Sequence, residues 1–312
     1  MNSMSIVIPH HRDEKSLEKL IVSLHGQKVS IPYEVIVVSN PPSQKAEVFL
    51  KNYKRVVHLQ SNFVGVNKAR NLGIEQATGD IFVFLDSDCE MVSDGFLEQH
   101  YLLHRENPGL SFLGGMYQYI GSRSCDLTYN YIQCRWLLRG LTSDGSRYLI
   151  GGNFSGKRSA FAAYKFDGDI KYGGSETEFF LRACRGGQAK IALYQNLLVG
   201  HNTHLNWLEF IKKAYRQGSG ASYIHRKLNQ EIEGSYSHDI LINFEKRKYQ
   251  KSMEFWLALY DFGYNKGYLE RKALNSVRAG YLMISKVFNF YRVKGSNFFG
   301  SLESRLRNLS NQ

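Results

Sequence analysis

Apolar runs and helix-spaced apolar positions alternate along the first half of the chain. Residues 4–9, 34–38, 56–59 and 81–85 are runs of mainly branched and aromatic side chains, the pattern of strands covered on both faces. Leu17, Leu20, Ile21 and Leu24 recur at the three- and four-residue spacing of one helix face, which predicts a helix over residues 16–27. Two further helices, over 44–52 and 67–76, separate the later runs. Strand and helix in this order fold into a mainly parallel, doubly wound α/β sheet with helices on both faces. A helix over 94–106, strands over 110–120 and 190–198 and a helix over 210–223 extend the pattern. The stretch through Tyr129, Tyr131 and Trp136 reads as core aromatics or as a stacking surface for a sugar.

The run Ile81-Phe82-Val83-Phe84-Leu85 ends abruptly in Asp86-Ser87-Asp88. Ligands of open α/β sheets sit beyond the carboxyl ends of the strands, so both carboxylates project toward a substrate; the plainer reading is that they cap the next helix. Gly151-Gly152-Asn153 is by itself an ordinary turn. Ser175-Glu176-Thr177-Glu178 is by itself a helix start, with a serine cap and two glutamates in the first turn.

Charge narrows the partners. Forty Lys and Arg against 28 Asp and Glu give +12, which implies an anionic partner: a phosphate-bearing substrate, a membrane surface or nucleic acid. Cys89, Cys125, Cys134 and Cys184 lack metal-ligand spacing and are too few for a disulfide scaffold, so a reducing cytoplasm is expected. The N-terminus enters Ile6-Val7-Ile8 without a basic leader, and no stretch approaches the roughly 20 apolar residues of a membrane span. A soluble or peripheral protein is the expectation.

Four segments in order resemble glycosyltransferase family 2 with the GT-A fold. They are Ile6-Val7-Ile8-Pro9-His10-His11-Arg12; Asn67-Lys68-Ala69-Arg70-Asn71-Leu72-Gly73 leading to Asp86-Ser87-Asp88; Gly151-Gly152-Asn153; and Gly173-Gly174-Ser175-Glu176-Thr177-Glu178-Phe179-Phe180-Leu181-Arg182. The resemblance covers residues 4–223 and implies a catalytic domain over 1–225, followed by a helical basic and aromatic region over 226–312. It further implies a nucleotide-sugar donor, a UDP-sugar first of all, contacted by Pro9, His11, Ser39, Asn40, Lys68, Arg70, Asp86, Ser87 and Asp88. The acceptor, a glycan or lipid-linked saccharide, is placed against Gly151, Gly152, Asn153, Ser175 and Glu178. Asp88, Asp86 and His201, with His204 as second choice, would hold Mn2+ or Mg2+; Glu176 aligns with the family's catalytic Asp and is the expected base of an inverting transfer. Arg216 is a candidate cation for the diphosphate. One departure stands out: where many relatives carry an Asp-rich segment, this chain has Ser39-Asn40-Pro41-Pro42, which offers hydrogen bonds but no charge to a base.

Beyond residue 235 the pattern changes to aromatic and cationic helices. Thirteen Lys and Arg against six Asp and Glu over residues 235–312 concentrate the excess charge there, as a surface for anionic membrane or as a subdomain packed on the catalytic lobe. Two other classes remain open at this level. A sugar-nucleotide nucleotidyltransferase also uses a doubly wound sheet and a divalent metal, but needs a glycine-rich cationic loop after the first strand. A non-catalytic basic module accounts for +12 and leaves Asp86, Asp88 and Glu176 without a role; nucleic acid is not the expected partner.

Overall fold

The computed structural model describes residues 3–63, 65–121, 123–142, 145–146, 148–170, 173–201, 205–228 and 250–272. In chain order the elements are β1 (Met4–His10), α1 (Glu14–His25), β2 (Tyr33–Ser39), α2 (Gln44–Leu50), β3 (Val56–Gln60), α3 (Val66–Gln76), β4 (Ile81–Phe84), β5 (Cys89–Glu90), α4 (Phe96–Glu106), β6 (Phe112–Tyr119) and α5 (Ser124–Arg139). They continue with β7 (Leu141–Thr142), β8 (Gly145–Ser146), β9 (Phe154–Lys157), α6 (Arg158–Ala163), α7 (Ser175–Cys184), a 3-10 turn at Arg185–Gly187, β10 (Ile191–His201), α8 (Trp207–Leu228) and α9 (Gln250–Lys272).

The apolar runs become adjacent parallel strands because each connecting helix returns the chain to the same edge. β3, β2, β1 and β4 pair in parallel, with Ile6 opposite Val35 and Val7 opposite Phe84. The Asp13 carboxylate caps α1 by accepting from the Ser16 backbone N–H at 3.1 Å, and Leu17, Leu20, Ile21 and Leu24 face the core. The whole sheet runs β3-β2-β1-β4-β9-β6-β10-β5. Its middle departs from the expected pattern: β9 lies antiparallel between β4 and β6, so the central apolar strand is flanked by a parallel neighbour on one side and an antiparallel one on the other. The fold is mixed α/β, and the parallel pairs β1–β2, β2–β3, β1–β4 and β6–β10 give it its mainly parallel character.

A block of phenylalanines fixes the helix that matters most. Phe84 of β4 stacks on Phe154 of β9 at 4.5 Å, Phe154 meets Phe180 of α7 at 5.2 Å, and Phe166 stacks on Phe179 of α7 at 4.2 Å. Each fully buried ring stabilises by about 1.5–3 kcal/mol, so α7 is firmly held against the strand that ends in Asp86. On the far side of α7, α8 approaches so closely that a Cβ on Gly220 would lie 1.5 Å from the Gly173 carbonyl oxygen. Lys227 of α8 joins Asp167 at 2.6 Å and Glu178 of α7 at 2.8 Å.

The helix expected over 210–223 is longer, and the domain boundary expected at residue 225 falls inside it. Residues 250–272 lie on α8 and α5, where Tyr129, Phe210, Tyr260 and Tyr264 form a third core cluster. Tyr129 and Trp136 therefore belong to packing. Residues 229–249 and 273–312, including Lys246, Arg247 and Lys248, lie outside the described residues. Among the described residues no helix is long and apolar enough to cross a membrane.

Candidate active site

Asp86, Ser87 and Asp88 form the turn that leaves β4. The Leu85 N–H donates to the Val7 carbonyl at 3.2 Å and the Cys89 N–H to the Asp86 carbonyl at 3.0 Å, which holds this turn at the carboxyl edge of the sheet. Arg70 of α3 reaches it from below with 1% of its surface exposed. Its Nη1 donates to Glu176 Oε1 at 2.6 Å, its Nη2 to Asp86 Oδ1 at 3.3 Å, and its guanidinium lies over Phe166. Ser175 Oγ donates to the other Glu176 oxygen at 2.9 Å. Glu176, at the start of α7, and Asp86, at the end of β4, are thereby joined by one cation.

The Gly151-Gly152 turn crosses directly in front of this pair. A Cβ on Gly151 would sit 2.2 Å from Glu176 Oε1, and one on Gly152 would sit 2.8 Å from Asp86 Oδ2. Only backbone without side chains fits there. Asn153 fixes the end of the turn, donating through Nδ2 to the carbonyls of Met116 at 3.0 Å and Leu197 at 2.9 Å. Its side chain ties the turn to β6 and β10 and is fully buried.

Burial pushes the Asp86 carboxyl up; Arg70 opposes that shift, and the charges of Asp88 and Glu176 add to it. Glu176 feels the same burial, yet the closer Arg70, its own backbone and Ser175 outweigh it and hold the carboxyl below its ordinary value. At neutral pH Glu176 is a carboxylate. Burial would also raise Asp88, but His201 outweighs it and holds Asp88 well below the usual carboxylate range, with help from Lys213.

Asp88 Oδ2 and His201 Nε2 face each other at 3.6 Å. A carboxylate oxygen and an imidazole nitrogen so placed fit a divalent ion of the Mn2+ or Mg2+ type that takes its remaining ligands from substrate phosphates and water. Asp86 is not brought into that pair, since Arg70 and Tyr117 occupy its oxygens, and among the described residues no group of three His, Cys, Asp or Glu converges on one point. His204 lies outside the described residues.

The other expected residues divide in the same plain way. Ser39 is buried at the end of β2, its hydroxyl between His10 Nδ1 at 3.0 Å and His58 Nε2 at 2.8 Å; burial lowers both imidazoles, so this corner is neutral at pH 7. His11 Nδ1 contacts the Asn40 carbonyl at 2.5 Å beside half-buried Pro9, and Lys68 is exposed near Gly168. Glu178, expected on the acceptor side, is instead fully buried and turned toward α8, paired with Arg182 at 2.9 Å and with Lys227. The reason is helical: two residues after Glu176 the side chain leaves from the other face. Arg216 is exposed on α8. One turn earlier, Lys213 lies over the Tyr129 ring at 4.8 Å, and its charge reaches Asp88. Neither Lys213 nor Tyr117 stands out in the sequence, because a lysine on an amphipathic helix and a tyrosine in a strand both have ordinary roles.

Comparison with known proteins identifies the family and the fold. The glycosyl transferase family 2 model matches residues 5–171. The poly(ribitol-phosphate) beta-N-acetylglucosaminyltransferase TarS of Staphylococcus aureus is 28% identical over 113 residues, covering 32% of this chain and 20% of TarS. A GalNAc(5)-diNAcBac-PP-undecaprenol beta-1,3-glucosyltransferase of Campylobacter jejuni is 29% identical over 121 residues, 37% of this chain and 38% of that protein. The matched region thus spans about a fifth to two fifths of these relatives. Among solved structures, the mannosyltransferase PcManGT of Pyrobaculum calidifontis, in complex with GDP-Man and Mn2+, superposes with a TM-score of 0.56 at 13% identity over 99% of this chain and 80% of its own. Glucosyl-3-phosphoglycerate synthase of Mycobacterium tuberculosis, with Mn2+, UDP-glucose and phosphoglyceric acid, gives 0.54 at 19% identity, covering 75% and 82%. These likenesses show the GT-A fold. With its family model matched over more than half of the 312 residues, and with the Asp86-Ser87-Asp88 turn inside the match, the chain belongs to glycosyl transferase family 2.

Proposed function

We propose that the chain is a metal-dependent, inverting glycosyltransferase that moves a sugar from a nucleoside diphosphate donor, a UDP-sugar first of all, to a hydroxyl of a glycan or lipid-linked saccharide. The observation that carries this reading is the Arg70 bridge, which sets Glu176 and Asp86 on either side of a turn with no side chains. The turn presents bare backbone packed against both carboxylates, so donor sugar and acceptor hydroxyl would be brought together along its edge rather than held off by side chains. Glu176 takes the hydroxyl proton as the oxygen forms its bond to the anomeric carbon, and the bond from that carbon to the diphosphate breaks on the opposite face. Arg70 keeps Glu176 ionised at neutral pH, so it is free to accept the hydroxyl proton. Asp88 and His201 would hold a divalent ion, which supplies charge to the departing diphosphate when bound. Lys213 of α8 lends positive charge beside Asp88.

The donor base would be read by neutral groups. Ser39 between His10 and His58 stands where a carboxylate is common in the family, so UDP and GDP are both to be compared as ligands. A nucleotidyltransferase is disfavoured because β1 runs straight into Pro9-His10-His11-Arg12 rather than a glycine-rich cationic loop. The basic region beyond residue 235 is proposed to contact anionic membrane at its cytoplasmic face, where lipid-linked acceptors reside.

Glu176→Gln tests the central assignment. Donor binding should persist while turnover of the nucleotide sugar falls by roughly 10²–10⁴-fold. Glu178→Gln is the control, and it should lower stability while leaving turnover per folded molecule near normal, since Glu178 pairs with Arg182 and Lys227. Near-normal turnover in Glu176→Gln would remove Glu176 as the base.

A further inference from the structure

Tyr117 of β6 touches parts of the site supplied by three separate chain segments. Its ring lies parallel to the His201 imidazole, with centroids 4.0 Å apart and planes 8° from coplanar. Its hydroxyl donates to Asp86 Oδ2 at 3.1 Å and accepts from the Gly152 N–H at 3.1 Å. The two hydrogen bonds use the hydroxyl proton and one lone pair, so each fixes the other's direction. A phenol is protonated at neutral pH, so the hydroxyl donates to Asp86 and accepts from Gly152. A phenylalanine here would fill the same space and stack equally well. The hydroxyl therefore has a task that packing does not explain.

The contacts are divided between the two halves of the site. Register places Tyr119 opposite His201 and Tyr117 opposite Val199, so Tyr117 sits two residues back on the same face of the sheet, where its ring can cover the imidazole. The ring sets the plane in which His201 Nε2 meets Asp88. The hydroxyl acts elsewhere: Arg70 holds one Asp86 oxygen, Tyr117 holds the other, and the same oxygen of Tyr117 receives the amide of the Gly151-Gly152 turn.

We propose that Tyr117 is a positioning residue with two separable parts, a ring that orients His201 toward Asp88 and a hydroxyl that ties Asp86 to the Gly152 N–H and so keeps the Gly151-Gly152 turn in register with the carboxylates. This rests on the reading of Asp88 and His201 as metal ligands for its first part only. Tyr117→Phe keeps the ring and removes both hydrogen bonds; Tyr117→Leu removes both parts. Supporting groups around metal ligands typically contribute about 10–100-fold to affinity, which sets the scale expected of the ring.

The test uses the full chain, calorimetric titration with UDP and then GDP in the presence and absence of Mn2+, amide hydrogen exchange at Gly152, and steady-state hydrolysis of the corresponding nucleotide sugars. Tyr117→Phe should bind the Mn2+-dependent nucleotide within about twofold of the parent, exchange the Gly152 amide about tenfold faster, and lose about tenfold or more in kcat at unchanged donor KM. Tyr117→Leu should add a further loss of about tenfold in Mn2+-dependent affinity. Tyr117→Met fills similar space without a ring and carries that arm if Tyr117→Leu does not fold. A space-filling tyrosine would leave Tyr117→Phe indistinguishable from the parent in exchange and turnover, and that result overturns the hydroxyl part. Parent-like Mn2+-dependent affinity in both ring-less variants overturns the ring part. If the parent itself binds UDP and GDP without regard to Mn2+, the metal assignment and the ring part fall together, while exchange at Gly152 still decides the hydroxyl.

Discussion

Arg70→Met removes the cation on which the site's arrangement depends while keeping most of the side-chain volume. Taking one partner from a buried ion pair costs about 3–5 kcal/mol, because the remaining charge is left without compensation. Asp86 and Glu176 keep 31% and 23% of their side-chain surface open to water, so the lower end, about 3 kcal/mol at pH 7, is expected. The pH dependence has a definite sign. In the parent, Arg70 helps hold Glu176 below its ordinary value, so Glu176 contributes stability above its unfolded pKa that is lost as pH falls through its folded one. In Arg70→Met both Arg70 contributions are gone while burial still pushes Glu176 up, so its folded value rises and the variant binds more protons than the parent across the carboxylate range. Arg70 also opposes the upward shift of Asp86, so its removal raises both carboxyls and both contribute to the change. The stability gap between parent and variant should widen from about pH 4 to pH 7, across the ordinary carboxylate range and above it. Urea unfolding at pH 4.5 and pH 7 measures it. A gap below about 1 kcal/mol at pH 7, the value of an exposed surface pair, or one that does not change with pH, would refute the view that Arg70 compensates these carboxylates.

Three further outcomes follow from other parts of the molecule. His100 and His104 share Ser155 Oγ at 2.8 and 2.9 Å and are each lowered to about 3, chiefly by burial. Their contribution is full above the unfolded value near 6.5 and is lost as pH falls toward 3, by up to about 2.7 kcal/mol per pH unit for the two protons; urea unfolding of His100→Gln/His104→Gln should show a shallower loss, and an equal slope would contradict it. Asp88→Asn should abolish Mn2+-dependent nucleotide binding in calorimetry without unfolding the chain, and unchanged metal dependence would place the ion elsewhere. Sedimentation with anionic and neutral vesicles at rising salt should show selective, salt-sensitive binding of the full chain, whereas equal failure to bind both would exclude the basic region as a membrane surface.

The sequence disclosed the parts of the site whose chemistry is written in residue type and order. Asp86 and Asp88 end an apolar run, and a run ending in carboxylates needs a reason for them. Gly151-Gly152 and Glu176 were legible as segments, although the cause of the glycines is visible only in space, where Glu176 and Asp86 lie within reach of any added Cβ. The antiparallel β9 was not legible, since Phe154-Ser155-Gly156-Lys157 is short and its Ser155 is buried only because His100 and His104 come to meet it. Tyr117 was missed for the same kind of reason: its partners Asp86 and Gly152 are 31 and 35 positions away, and no local spacing encodes them. Glu178 shows the converse limit. Its place in the motif pointed to the acceptor, but helix geometry turns it to Lys227 of α8, a contact 49 positions distant.

Charge balance gives the proposed metal a physical motive. Asp86, Asp88 and Glu176 face one buried guanidinium, that of Arg70, and the amine of Lys213, while His201 is charged only when protonated. Three carboxylates against two permanent cations leave the cleft no better than neutral even with Asp86 shifted toward its protonated form. A nucleoside diphosphate entering it adds further negative charge beside Asp88, which is held firmly ionised. A divalent ion between Asp88, His201 and the phosphates would reverse the local sign at the point of contact. Under this reading the cation at Asp88 governs whether the donor stays.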